Sequence, residues 1–257
     1  MYQFHGLNIE VSVTLESGHF DLQRFFGSKT QEVAPSTVDA VQLKLSQDEY
    51  GHLLLAWYKE GQKKPTLYTL DFTSELRSLR SFPAPKQGAF NQALGSKTRC
   101  VLDATAGWGG DAMLMSTQGY DVTMMERNPL MALLLEQGVS HLRKLVEQSG
   151  SLLKPPKVIY GDGIEMMQSH AKTVDCVYLD PMFPPKRKKT AAANKQMQLL
   201  QWMLGQDHDA AQLVEQALNH GAKRVAVKRP SYAEPLFRKP DDQFSSKLVH
   251  YDVYLPH

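Results

Sequence analysis

The segment Val174-Asp175-Cys176-Val177-Tyr178-Leu179-Asp180-Pro181-Met182-Phe183-Pro184 decides how the rest of the chain is interpreted. Its first six residues are mostly apolar and predict a buried strand. Asp180 then stands at the carboxyl end of that strand, followed by a proline and, two residues later, an aromatic ring. A carboxylate and a backbone carbonyl can hold the two N–H groups of an exocyclic amine on a nucleobase, while the ring stacks on the base. The segment therefore suits methyl transfer to a base amine.

A glycine-rich loop, Asp103-Ala104-Thr105-Ala106-Gly107-Trp108-Gly109-Gly110-Asp111, follows an earlier apolar segment. Its glycines let the backbone approach a ligand closely and leave amides free at the start of a helix. The spacing differs from the dinucleotide fingerprint G-x-G-x-x-G, and Asp103 would repel a pyrophosphate. A cationic ligand such as S-adenosylmethionine (SAM) suits it better, so we predict that Asp103, Gly107, Gly110 and Asp111 bind this cofactor. Taken alone, the loop is equally compatible with an ordinary strand–turn–helix connection.

Two more acidic residues follow predicted strands. Glu126-Arg127 stands at the end of a strand over residues 121–126, where the carboxylate can accept hydrogen bonds from ribose hydroxyls. Asp162-Gly163 follows a strand over residues 157–160 and can accept a hydrogen bond from the adenine amino group. A solvated charge and a plain Asp–Gly turn are the alternatives for these two positions. We predict that all four residues, together with Asp180, bind the cofactor.

Basic residues stand next to the predicted base pocket. The run Lys186-Arg187-Lys188-Lys189 follows it directly, and Lys228-Arg229 stands at the end of another predicted strand. A charge run is usually a solvated face, but its place beside the pocket favours contact with nucleic-acid phosphates. We assign these six residues to substrate binding and Asp180, Pro181 and Phe183 to catalysis. Core packing is the structural alternative for Phe183.

The order of the elements predicts an α/β fold. Strands alternate with helices: strands at 99–104, 121–126, 157–160, 174–179 and 224–228, helices at 110–118, 129–148 and 207–220, and an extended segment at 247–255. This alternation implies a doubly wound, mostly parallel sheet with helices on both faces. Ligands of such sheets bind at the carboxyl ends of the strands.

The N-terminal part has a different pattern. Short apolar stretches punctuated by turn residues predict strands at 7–13, 41–45, 53–58 and 67–72. We therefore expect a small strand-rich subdomain over residues 1–85 and the α/β domain over residues 86–257.

The composition is that of a globular protein. The chain has 257 residues, 42% of them hydrophobic, which is enough for a sizeable core. A net charge of +2 means that nucleic-acid affinity has to come from local patches. Cys100 and Cys176 lie in predicted strands and suggest a reducing compartment, not a disulfide.

No targeting or metal signal is evident in the sequence. The N-terminus has no export signal, and no apolar run approaches the ~18 residues of a membrane helix. Histidines and cysteines lack metal-ligand spacing. We expect a cytoplasmic protein with no membrane partner and no metal.

The motifs resemble those of the RsmJ (YhiQ) family of bacterial methyltransferases. Four blocks carry the resemblance in order: 103–107 with Gly109 and Asp111, 126–129, 178–184, and 227–230 with Tyr232-Ala233. The third and fourth blocks are specific, whereas the glycine-rich loop is much less so. The resemblance implies a class I, Rossmann-like, SAM-dependent methyltransferase. It also implies that the substrate is the N2 amine of one guanine in 16S ribosomal RNA, free or in the small ribosomal subunit.

Two other functions fit the same residues. One is a DNA methyltransferase acting on the amine of adenine or cytosine, although the chain has no obvious DNA-recognition domain. The other is a non-catalytic, RNA-binding assembly factor with a methyltransferase fold, although the presence of Asp180 argues against it.

Overall fold

The computed structural model describes residues 2–4, 7–11, 31–32, 43–49, 51–58, 63–182, 195–204 and 209–257. Two β-sheets organise this part of the chain. The predicted catalytic residue Phe183 and the basic run 186–189 lie outside the described residues.

The N-terminal sheet is built from short strands. They are β1 (Tyr2–Phe4), β2 (Leu7–Val11), β3 (Gln31–Glu32), β4 (Leu43–Gln47), β5 (Leu53–Trp57) and β6 (Thr66–Tyr68). Their spatial order is β3-β1-β2-β4-β5-β6, in which β2 and β4 run parallel and the other neighbours antiparallel. Two short helices, α1 (Thr73–Ser78) and α2 (Gly88–Leu94), lead into the second sheet.

The second sheet alternates with helices. Its elements are β7 (Cys100–Asp103), α3 (Gly110–Thr117), β8 (Asp121–Glu126), α4 (Pro129–Ser149), β9 (Lys157–Tyr160), α5 (Gly163–His170), β10 (Cys176–Leu179), α6 (Lys195–Leu204), α7 (Ala210–Asn219), β11 (Val225–Pro230), β12 (Asp242–Ser245) and β13 (Val249–Tyr254). The strand order is β12-β13-β11-β10-β7-β8-β9. The five strands from β11 to β9 are parallel, whereas β13 and β12 are antiparallel.

This topology creates a switch point at β7. The chain continues from β7 to β8 and β9 on one side and returns to β10 and β11 on the other. Crevices at the carboxyl ends of the strands on either side of such a point bind ligands in doubly wound folds. The predicted fold class is confirmed, and the switch point fixes where its site lies.

Local sequence explains where the long helix α4 begins and ends. The Asn128 side chain accepts hydrogen bonds from the amides of Leu130 (3.0 Å) and Met131 (3.1 Å), and Pro129 occupies the first helical position. Proline is well suited there because its missing N–H has no helical partner in any case. Gly150 ends the helix in a left-handed conformation, with φ of 65°. Asn128 is therefore the N-cap of this helix.

Several elements differ from the sequence expectations. Strand β12 was not expected because its residues Asp-Gln-Phe-Ser are largely exposed and show no apolar alternation. Helix α5 was not expected from the sequence. The strand expected over residues 67–72 is shorter, because its pairing with β5 ends at Tyr68, although Leu70 and Phe72 are also buried.

The N-terminal sheet packs closely on α4. A Cβ at Gly138 would lie 3.2 Å from both the Leu70 carbonyl oxygen and the Phe72 ring, so only glycine allows this approach without a shift. Gln137 donates a hydrogen bond to the Gly51 carbonyl at 2.7 Å. One hydrophobic cluster includes residues of both sheets. The boundary near residue 85 stays a prediction.

Both cysteines lie within the described part of the chain. Cys100 and Cys176 are free thiols, in line with the sequence expectation. Within the described ranges, no helix is both long and apolar enough to cross a bilayer.

Candidate active site

A cleft of about 240 Å³ opens at the carboxyl ends of the parallel strands. Every residue that the sequence assigned to the cofactor lines this cleft: Asp103, Gly107, Gly110, Asp111, Glu126, Arg127, Asp162, Gly163 and Asp180. Glu126 and Asp180 therefore face the same cavity, although the strands they follow are separated by β7.

Asp103 lies on the floor of the cleft at the end of β7. Its side chain accepts a hydrogen bond from the Thr105 amide at 3.2 Å, and the residue is only 2% exposed. Burial, followed by repulsion from the Asp111 carboxylate, raises the pKa of Asp103 well above its ordinary value, and Asp180 and Glu126 add to the effect. Excess negative charge at this point is what a bound cation would relieve.

Glu126 joins the glycine-rich loop to the end of β8. Its two carboxylate oxygens accept hydrogen bonds from the backbone amides of Gly107 (2.9 Å) and Asn128 (2.8 Å), and the residue is 5% exposed. Each carboxylate oxygen has two lone pairs, so the same group can still accept hydrogen bonds from a ligand hydroxyl. The position fits the predicted ribose contact.

The backbone of the loop depends on its glycines. Gly109 has φ of 75°, and a Cβ there would lie 2.9 Å from both the Leu135 side chain and the Phe72 ring. The ring of Trp108 stacks on Tyr68 of the N-terminal sheet, with centroids 5.7 Å apart and planes 26° from parallel. The N-terminal sheet therefore supports one wall of the cleft, a contact that no sequence signal indicated.

The far end of the cleft combines charged and apolar side chains. Asp162 caps α5 by accepting a hydrogen bond from the Ile164 amide at 2.9 Å. Arg127 donates to Asp209, just before α7, at 2.6 Å. The apolar lining consists chiefly of Met125, Met197, Leu200 and Leu213. A flat heterocycle fits among such side chains, with polar groups placed to fix its orientation.

Asp180 follows β10 on the other side of the switch point. Its backbone amide donates to the Thr105 hydroxyl at 2.7 Å. The Lys228 ammonium donates to the carboxylates of both Asp180 and Asp111, each at 2.8 Å, and the Tyr178 hydroxyl donates to Asp111 at 2.6 Å. Four side chains, from α3, β11 and β10 with its end, thus form one polar network beside Asp103.

Opposing effects act on the pKa of Lys228. Burial alone would lower it, but the carboxylates of Asp180 and Asp111 outweigh burial and raise the pKa above its ordinary value. The side chain is therefore a cation at neutral pH. Sequence reasoning assigned Lys228 to RNA phosphates and did not anticipate these partners or the contribution of Thr105 and Tyr178. The pairing of β10 with both β7 and β11 brings them together.

Two sequence-assigned residues within the described ranges, Arg229 and Pro181, do not line the cleft. Arg229 is 7% exposed and donates to the Glu234 carbonyl. It faces the opposite side of the sheet from Lys228, because successive residues of a strand alternate between the two sides. Its predicted contact with substrate gains no support from this placement. Pro181, the next residue after Asp180, is buried. Phe183, like Lys186, Arg187, Lys188 and Lys189, lies outside the described residues.

The residue types around the cleft fit SAM. Acidic groups at Asp103, Asp111 and Asp180 suit its cationic sulfonium and amino acid portion. Glu126 suits the ribose, and the apolar end near Asp162 suits the adenine. Burial beside the Asp111, Asp180 and Glu126 carboxylates raises the pKa of Asp103. The gathering of these acidic groups in one cleft is the observation that favours a positively charged ligand.

Comparisons with known proteins indicate a SAM-dependent methyltransferase. The family model described as "Putative SAM-dependent methyltransferase" matches residues 29–256. A ribosomal RNA small subunit methyltransferase J from Legionella pneumophila (strain Lens) is 36% identical over 89% of this chain and 93% of its own length. A protein of the same name from Psychromonas ingrahamii is 39% identical over 79% of this chain and 83% of its own length.

A solved structure shows the same fold. The chain superposes on a SAM-dependent methyltransferase from Neisseria gonorrhoeae with a TM-score of 0.63 and 24% identity, covering 97% of this chain and 96% of that chain. The resemblance drawn from the four sequence blocks is confirmed, as are the fold class and SAM as the cofactor. The chain belongs to the family of ribosomal RNA small subunit methyltransferase J, within the SAM-dependent methyltransferases.

Proposed function

We propose that this protein transfers the methyl group of SAM to the exocyclic N2 amine of a guanine in 16S ribosomal RNA. The relatives that carry the name ribosomal RNA small subunit methyltransferase J support the class of RNA. The observation that carries the proposal is the position of Asp180 in the same cleft as Glu126 and Asp103. A carboxylate for the acceptor amine thereby stands beside the groups suited to the cofactor.

The target amine needs help from the protein because its lone pair is delocalised into the base. We expect the Asp180 carboxylate to accept one of its N–H groups and the Pro181 carbonyl to accept the other. Both contacts favour a pyramidal nitrogen with an available lone pair. SAM, when bound, supplies an electrophilic methyl group on a sulfonium. Much of the rate gain then comes from holding the amine in line with that group.

No strong general base is required of the protein. As the N–C bond forms, the nitrogen becomes cationic and its proton becomes acidic, so the proton can leave to Asp180 or to solvent. The base has to leave its stack to reach a cleft at the strand ends. We expect Phe183 to stack on the flipped guanine, an interaction worth ~1–3 kcal/mol.

The RNA backbone would be held outside the cleft. We assign this role to Lys186, Arg187, Lys188 and Lys189, which directly follow the catalytic segment in sequence. Contacts of this kind weaken with salt and carry little sequence information. A substrate in the small ribosomal subunit implies a cytoplasmic location.

Mass spectrometry of 16S RNA nucleosides from cells with and without this protein tests the proposal. We expect the N2-methylguanosine content to fall in cells lacking the protein and to return with the wild-type gene but not with Asp180→Ala. Unchanged nucleosides in 16S RNA, combined with lost methylation of adenine or cytosine in DNA, would instead identify a DNA methyltransferase. If neither nucleic acid changes and calorimetry detects no SAM binding, a non-catalytic assembly role replaces the proposal.

A further inference from the structure

We propose that Lys228 is a positioning residue that holds Asp180 for the acceptor amine, and that it does not contact RNA phosphates. This inference rests on the proposed function and adds a residue to it. The observation behind it is that one ammonium bridges the carboxylates of Asp180 and Asp111, each at 2.8 Å.

The geometry of Lys228 suits an internal contact. Its side chain is 25% exposed, and the residue paired with it on β13 is Tyr251. An ammonium has three N–H groups, and two of them are engaged by carboxylates of this chain. A phosphate would have to compete with two anions already in contact, whereas an RNA-binding lysine usually extends into solvent.

The contact fixes one side of the Asp180 carboxylate. Lys228 binds its Oδ2 atom, while the Asp180 amide is bound by the Thr105 hydroxyl at 2.7 Å. Together they restrict both the backbone and the side-chain torsions of Asp180. An acceptor amine then meets a carboxylate whose direction is set before binding, which is the condition for an effective positional contribution to rate.

Among the residues that the structure describes, the ionisable groups placed against Lys228 are carboxylates and phenols. Asp111 approaches from α3, Asp180 and Tyr178 from β10 and its end, Tyr251 from β13, and Asp103 from β7. Without the ammonium, two carboxylates would share one small volume with Asp103 close by. Carboxylates in such a group hold a proton more tightly. Loss of Lys228 should therefore make the reaction sensitive to mild acid.

The test compares Lys228→Met with Lys228→Arg and with Lys223→Met. Lys223 makes a matched control, because it also pairs with an aspartate next to β10. Its partner Asp175 directly precedes β10, so this pair lies at the opposite end of the strand from Asp180. For Lys228→Met we expect kcat to fall by about 10-fold or more and KM for RNA to change little. We also expect the acidic limb of the kcat profile to move up by about one pH unit. Lys228→Arg should restore part of kcat and part of the shift in the pH profile. Lys223→Met should match the wild type in kcat, in KM for RNA and in the pH profile.

The opposite kinetic pattern would overturn the inference. A raised KM for RNA with an unchanged kcat and pH profile would identify Lys228 as a phosphate contact. Equal losses in Lys228→Met and Lys228→Arg, with no binding of S-adenosylhomocysteine in calorimetry, would also overturn it, because the charge would then not be the property that matters.

A measurement independent of activity separates this inference from the proposed function. Thermal unfolding of Lys228→Met should show a loss of stability at neutral pH that diminishes as the carboxylates become protonated in acid. If the wild type fails to methylate 16S RNA, the proposed function fails. The pairing of Lys228 with Asp180 still stands if this pH-dependent loss is seen, and fails if the loss is the same at every pH.

Discussion

The two ends of strand β10 carry the same pair of side chains in different surroundings. At the amino end, Asp175 accepts a hydrogen bond from Lys223 at 2.9 Å, and at the carboxyl end Asp180 accepts one from Lys228 at 2.8 Å. Lys223 lies just before the neighbouring strand β11, and Lys228 belongs to that strand. The pairs differ in what lies around them.

The surroundings determine what each aspartate does. Asp175 also accepts hydrogen bonds from the amides of Arg99 (3.0 Å) and Cys100 (3.1 Å), which tie the start of β10 to the start of β7. Lys223, followed by these amides, lowers the pKa of Asp175 to about 2. Asp180 instead faces a cleft crowded with other carboxylates. We infer that the same kind of ion pair is structural at the amino end of the strand and serves the proposed site at the carboxyl end, where ligands of such sheets bind.

The strongest way to break this comparison is to remove each aspartate in turn. Asp180→Ala should lower kcat/KM by about 100-fold or more, since the acceptor amine loses its positioning group. S-adenosylhomocysteine should still bind within about 10-fold of the wild-type affinity, a window of ~1.4 kcal/mol. Methylation assays and calorimetry measure the two quantities. Asp175→Ala is the control and should keep its rate at a temperature where it is folded. Near-normal activity of Asp180→Ala would end the assignment of roles.

A second variant tests whether Glu126, which lies on the other side of the switch point, belongs to the same site as Asp180. Glu126→Gln replaces an oxygen that accepts a backbone N–H with an NH2 group that cannot accept it. A hydrogen bond to a charged group contributes ~1.5–3 kcal/mol, so we expect affinity for S-adenosylhomocysteine to fall by roughly 10- to 100-fold. Glu165→Gln, on the exposed side of α5, is the matched control. Equal affinities for both variants in calorimetry would remove Glu126 from the cofactor site.

The loop between these carboxylates gives a smaller effect on stability. Gly109→Ala places a Cβ 2.9 Å from Leu135 and Phe72 at a positive φ, so unfolding should cost about 1–3 kcal/mol less than in the wild type. A Cβ at the adjacent Gly110 would meet nothing within 4 Å, and Gly110→Ala should stay within about 0.5 kcal/mol. Denaturant unfolding of both variants measures the difference. Equal free energies of unfolding for the two variants would show that the Phe72 ring does not restrict the loop at Gly109.

The smallest expected effect concerns the structural end of β10. The pKa of Asp175 is lowered on folding, so its pairing stabilises the protein above the ordinary aspartate pKa and is lost as pH falls through about 2. Asp175→Ala should lower Tm by roughly 2–4 °C at neutral pH. The gap between the two melting curves should narrow below pH 4. A gap that is constant down to pH 2 would exclude the ionised carboxylate as its cause.

The sequence predicted the carboxylates of the site better than their partners. Asp103, Glu126, Asp162 and Asp180 could be placed because each follows an apolar strand, and parallel strands end on one edge of the sheet. The bridge from Lys228 to Asp111 and Asp180 depends on which strands are neighbours, and that order is set by packing over long sequence distances. Local sequence patterns do not indicate the spatial order of the strands.

One signal was present in the sequence and was not used. Residues that alternate along a strand face opposite sides of the sheet, so Lys228 and Arg229 could not both face the cleft. The structure places Lys228 in it and buries Arg229 on the other side. Contacts of the N-terminal sheet, such as Tyr68 with Trp108, could not be predicted, because the two residues are far apart in the sequence and no local pattern pairs them.

The most direct test of the account is a crystal structure of the protein with S-adenosylhomocysteine. We predict that the ribose lies against Glu126 and that the sulfur faces Asp180 across the end of β7, within the cleft lined by both. A nucleoside bound elsewhere, or a sulfur turned away from Asp180 and separated from it by protein, would contradict the account.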